Sequence, residues 1–146
     1  MSERIKRAGR LLSIKEREVT LAKVRVAEAN AKVAEAERAR QSLVDAWERA
    51  ADDAARLDGV SAADHLAHRD ALLTARHRIA LAEREIERRR AEEAALLEAL
   101  AEARANHRKL ETWIDNMRAE EAEEQGRKER IMADEVAARR AAQRTS

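Results

Sequence analysis

Two imidazoles stand three residues apart in Asp64-His65-Leu66-Ala67-His68, a spacing that puts both on one helix face beside a carboxylate. Such a pair is half of a metal site, but a structural or catalytic zinc needs three or four ligands, and the neighbouring sequence offers no further one. Both histidines also fall on an apolar seam described below, so a structural or solvated role is the expectation. Three consecutive cations, Arg88, Arg89 and Arg90, could meet phosphates. Glu83, Glu85, Glu87, Glu92 and Glu93 surround them, which reads as a solvated helix face rather than a nucleic-acid patch. The chain has no cysteine, which excludes a thiolate nucleophile, a thiolate metal site and a disulfide framework. No glycine-rich phosphate loop is present, and no Ser/His/Asp arrangement suggests a triad. The expectation is a protein with no catalytic residues, no metal and no cofactor.

The elements that would have to position any site are helices. Of 146 residues, 40% are charged and 45% hydrophobic; there is no Pro, Phe or Tyr, and only three Gly and two Trp. A β-sandwich or barrel needs turn residues and β-branched or aromatic strands at short intervals, and these are missing. Ala, Glu, Arg and Leu dominate, the composition of long helices and coiled coils. The one strong turn signal is Leu57-Asp58-Gly59-Val60-Ser61, with Gly59 suited to a left-handed conformation and Ser61 and Asp64 forming a capping-box variant. Gly9 and Gly126 lie inside helical patterns. The pattern predicts one coiled-coil domain over 1–146: helix 4–57, turn 58–61, helix 62–140 and a frayed tail 141–146.

A seven-residue repeat runs through both segments. In the first, position a is Ile5, Leu12, Val19, Val26, Val33, Arg40, Trp47 and Ala54, and d is Ala8, Lys15, Ala22, Ala29, Ala36, Leu43, Ala50 and Leu57. In the second, a is His65, Leu72, Ile79, Ile86, Glu93, Leu100, His107 and Ile114, and d is His68, Ala75, Ala82, Arg89, Leu96, Ala103, Leu110 and Met117. A sustained heptad predicts a left-handed coiled coil. Pairing residues whose numbers sum to 122 sets a of one helix against d of the other, large mostly against small. That register hinges at residue 61, where the turn signal lies. The fold class is therefore all-α, a two-helix antiparallel coiled-coil hairpin with an overhanging C-terminal helix from residue 118. At 1.5 Å per residue the paired arm would be roughly 80 Å long.

Charge is uneven along this pattern. Residues 1–25 carry eight cations against three acids, and residues 44–64 six acids against two cations. The chain's net charge is only +1, which gives no bulk case for nucleic acid. No run of apolar residues is long enough to span a membrane, the first eighteen residues do not read as a secretory signal, and a cytoplasmic location is the default. Two apolar sets do not fit the seam: Leu11, Ile14, Leu21 and Val24 on the outer face of the first helix, and Ile131, Met132 and Val136 on the overhang. A lone helix would hardly need the second set, so a partner is expected there.

The last third resembles the FliJ family of flagellar type III export and its YscO-like relatives in injectisomes. The resemblance lies in Lys109-Leu110-Glu111-Thr112-Trp113, then a charged stretch, then Asp134-Glu135-Val136-Ala137-Ala138-Arg139-Arg140-Ala141. The family pattern is Leu-x-x-Trp followed by a closing Asp-Glu-aromatic-Ala-x-Arg-x-Ala element; Val136 stands where the aromatic usually is. The resemblance implies a non-enzymatic stalk of bacterial flagellum biogenesis, motility and chemotaxis, acting in protein transport as an ATPase activator. Its termini would enter the hexameric export ATPase and promote ring assembly and ATP hydrolysis. It would also link the ATPase to the cytoplasmic domain of the export gate and handle export chaperones, peripheral to the membrane and without inserting in it. Arg4, Arg7, Arg10, Ile131, Met132, Val136, Arg139 and Arg140 are the expected partner-binding residues, with Leu72, Leu73 and Ile79 facing the gate and Trp113 packed at the hairpin edge. The alternative is a generic coiled-coil scaffold or spacer.

Overall fold

The computed structural model describes residues 2–56 and 58–145. The seam position and helix end expected at Leu57 and the tail residue Ser146 lie outside the described residues, as does Met1. Two helices make up the fold, α1 (Glu3–Ala55) and α2 (Ala62–Thr145), and no strand occurs among the described residues. α1 begins at an N-cap: Ser2 Oγ accepts from Ile5 N at 3.3 Å and Ser2 O from Lys6 N at 3.1 Å. It stops at Ala55, where Arg56 N turns back to Asp53 O at 3.2 Å, a tightened last turn. Gly59 then takes φ +74°, the left-handed conformation that a side chain disfavours. Ser61 caps α2 as expected, its Oγ accepting from Asp64 N at 3.2 Å and its carbonyl from His65 N at 3.1 Å. At its far end α2 continues past residue 140, where fraying was expected, to Thr145. Ala137, Ala138, Ala141 and Ala142 favour helix there, and the Thr145 hydroxyl donates back to the carbonyls of Ala142 at 3.0 Å and Ala141 at 3.3 Å.

The chain divides into two compact units, Met1–Val19 with Glu102–Ser146, and Thr20–Ala101. In the first, Ile5, Ala8, Ile114 and Met117 form a buried cluster with Leu12 and Leu110 packed against it. Ile5 with Met117, Ala8 with Ile114 and Leu12 with Leu110 each sum to 122, the register expected from the heptads. Glu16, at e, brings its Oε1 to 3.6 Å from Nε2 of the seam residue His107.

In the second unit, the buried residues are Ala29, Val33, Ile86 and Leu100, all at a or d. Arg40 interrupts the seam but sends Nε and Nη2 across to Glu83 Oε1 at 3.2 and 3.1 Å. Asn30 Nδ2 donates to Glu93 Oε2 at 3.1 Å, and Arg90 Nη2 to Glu37 Oε1 at 2.8 Å. Arg89 bonds Glu85 at 2.9 Å and Glu92 at 3.4 Å along α2. Nearer the turn, the Arg76 guanidinium lies 5.4 Å from the Trp47 ring centre. The seam loosens there: Ala50, His65 and His68 are exposed.

Candidate partner-binding site

In the first unit, α1 starts at Glu3, which the register places against residue 119, so beyond that point α2 runs on with no described helix beside it. From residue 118 to 145 only Glu121 and Gly126 are even half-buried. This stretch is held by its own charges: Lys128 Nζ lies 3.7 Å from Glu124, and Gln125 bonds Glu129 at 3.3 Å, both at the i, i+4 spacing that supports a lone helix. It carries Ile131, Met132 and Val136 into solvent, with Met132 65% exposed, and Arg139 and Arg140 beyond them are exposed as well.

Arg4, Arg7 and Arg10 are exposed on α1 in the same unit. Arg4 does not simply project outward. Its guanidinium sits 5.4 Å from the ring centre of Trp113, and Trp113 itself is 43% exposed. The indole is thus at the hairpin edge, where it was expected, but it is also an aromatic surface available to a partner, which the sequence reading did not credit. Spacing gives the reason it was missed. Trp113 immediately precedes the a residue Ile114, so a seam contact and a solvent-facing position one flank over are equally compatible with the sequence. Leu11 and Ile14, on the outer face of α1, are 44% and 49% exposed.

The residues expected at the gate separate in the second unit. Leu72 and Ile79 are a residues and half-buried, whereas Leu73 is exposed, as is Leu66 one heptad earlier. Leu66 and Leu73 are therefore the apolar side chains that this segment offers to solvent, and Leu66 was not among the expected contacts. His65 and His68 are exposed, and no cluster of three or more potential metal ligands occurs among the described residues. No described helix is long and apolar enough to cross a membrane.

A capped helix pair with a heptad seam, a Leu-x-x-Trp segment at its edge and a charged overhang is matched by one family model, that of the flagellar FliJ protein, over residues 6–146. The chain belongs to the flagellar FliJ protein family. Membership makes it a component of the flagellar export apparatus, in a family of non-catalytic proteins. It also favours the flagellar over the injectisome branch of the resemblance. No curated protein and no solved structure gives a significant match.

Proposed function

We propose that the chain is the stalk of the flagellar export ATPase: it enters the hexameric ring with its first unit, promotes ring assembly, and stimulates ATP hydrolysis without being an enzyme itself. The family match over nearly the whole chain carries this reading. Exposed Arg4, Arg7 and Arg10 on α1 and exposed Ile131, Met132, Val136, Arg139 and Arg140 on α2 support it, because they give one unit both cations and apolar side chains to place against a partner. Each charge-assisted hydrogen bond made in a desolvated pore would contribute ~1.5–3 kcal/mol, and an exposed pair ~1 kcal/mol at most. On this reading the turn-proximal part of α2 contacts the cytoplasmic domain of the export gate through Leu73, with Leu72 and Ile79 supporting it from the seam. Export chaperones are further partners. The protein works on the cytoplasmic side, peripheral to the membrane.

The test is a pull-down with the tagged full chain from a flagellated bacterium. Recovery of the export ATPase supports the reading. Failure to recover it, under conditions where the chain is folded and abundant, counts against it and leaves a spacer role.

A further inference from the structure

We propose that Arg40 fixes the register of the second unit, because a slip of one heptad in either direction would set it beside another arginine. Register belongs to the helix pair alone and does not depend on any ATPase contact. A seven-residue repeat does not by itself define which heptad of α1 meets which heptad of α2. Sliding one helix by seven residues returns every a and d position to the seam. Pairs whose numbers sum to 122 would then sum to 129 or 115, and the hinge would move by only about one helical turn. A feature that does not repeat has to choose among the three.

The charged seam residues of this unit are such a feature. Arg40, Arg89 and Glu93 stand in register with Ala82, Val33 and Ala29, and each polar head leaves the seam for a partner. Arg89 turns to Glu85 and Glu92 on its own helix, contacts that a slip would carry along unchanged. The bonds that cross the pair are the ones a slip would break: Arg40 to Glu83 at 3.1 Å, Asn30 to Glu93 at 3.1 Å and Arg90 to Glu37 at 2.8 Å. Moving each by a heptad sets Arg40 apart from the other two. At 129, Arg90 would take the place of Glu83 beside Arg40, and Arg89 the place of Ala82 across the seam. Glu93, the nearest acid across the pair, would have Glu37 beside it in place of Asn30. At 115, Arg76 would take the place of Glu83, drawn from its position 5.4 Å from the Trp47 ring centre. The other contacts are less selective: Glu37 keeps Arg90 within reach at 129, and Glu93 gains Lys23 at 115. Only Arg40 exchanges an acid for an arginine in both directions. It is half-buried, where like charges are less screened than on the open surface. A polar seam residue that fixes alignment at a cost in stability is a recurrent device of coiled coils.

The chain contains no cysteine, so pairs introduced into the full chain report register directly. Leu43→Cys is combined with Ile79→Cys for 122, with Ile86→Cys for 129 or with Leu72→Cys for 115. Disulfides within one chain are then read by gel migration and peptide mapping. Neighbouring heptads lie about 10 Å apart along a helix, too far for one pair to report another's register. With Arg40 in place, the 122 pair should link and the slipped pairs should give only traces. Arg40→Glu and Arg40→Leu should keep their helix content and raise one or both slipped links about fivefold or more. Leucine suits the seam, so that variant keeps the test valid if the glutamate variant fails to fold. Arg40→Glu combined with Glu83→Arg restores an ion pair across the helices, yet a glutamate at 40 suits Arg90 or Arg76 equally well, so slipped links should persist. Links at 122 alone in every variant would mean that the Gly59 and Ser61 turn sets register unaided, and would overturn the proposal. Strong slipped links with Arg40 in place would do the same. So would links at 122 alone in the exchanged pair, which would make the bond itself the cause and not the arginines a heptad away.

Discussion

Two glycines of the same composition should respond oppositely to the same substitution. Gly59 holds φ +74° and nothing lies within 4 Å of where a Cβ would stand, so its requirement is conformational rather than steric. Gly59→Ala should destabilise the fold by about 1–2 kcal/mol. Gly9 sits inside α1 with the same empty space around it, and Gly9→Ala should stabilise by about 1 kcal/mol. Thermal unfolding followed by circular dichroism reads both. Glu85 is a second case where a local contact sets behaviour. The Arg88 guanidinium, bonded to it at 2.7 and 3.0 Å, holds its carboxyl below the usual carboxylate value, and Arg89 acts in the same direction. A group lowered in the folded state contributes stability above its unfolded pKa and loses it as pH falls through the folded one. A carboxyl titration by NMR should find Glu85 titrating low in the unaltered chain and returning upward in Arg88→Gln.

The helices and their register were legible in the sequence because burial repeats with the heptad. Ile5, Ala8, Val33, Ile86, Leu100, Ile114 and Met117 are all buried at a or d. The turn was legible because Gly59 and Ser61 are needed for their backbone conformation and capping, whatever packs around them. Side-chain partners were less so. Arg89 and Glu93 are four apart, the spacing at which opposite charges on one helix pair. Long side chains choose among several neighbours, however, and Arg89 bonds Glu85 and Glu92 while Glu93 accepts from Asn30 across the pair. Ser2 is too close to the chain start for a periodic pattern to reveal its capping role. In the candidate site, the exposed aliphatics were legible as a mismatch with the seam, and the cations were named from the family resemblance. The exposure of Trp113 and the Arg4 contact were not, since both depend on which flank an edge residue takes. Register itself is open to a chemical test within the second unit. Cysteines at Ala22 and Leu100, whose numbers sum to 122, should crosslink within one chain, and cysteines at Ala22 and Leu72 should not. Gel migration under oxidising conditions reads the result, and links only between chains would contradict the hairpin.

At the scale of the whole protein, function follows from what the chain exposes to others. The helix pair has a thin, alanine-rich seam, and its surface carries a basic N-terminal stretch and an acidic stretch around the turn. As the stalk, the chain would meet the ATPase with the former. The most direct measurement is ATP turnover by the purified export ATPase with three forms of the chain: unaltered, Arg4, Arg7 and Arg10 reversed to Glu, and Asp52, Asp53 and Asp58 reversed to Lys. The exposed position of all six residues leaves the seam intact in every form. The unaltered chain and the aspartate variant should stimulate turnover, and the arginine variant should not. Full stimulation by the arginine variant together with its loss in the aspartate variant would contradict this and move the grip to the turn.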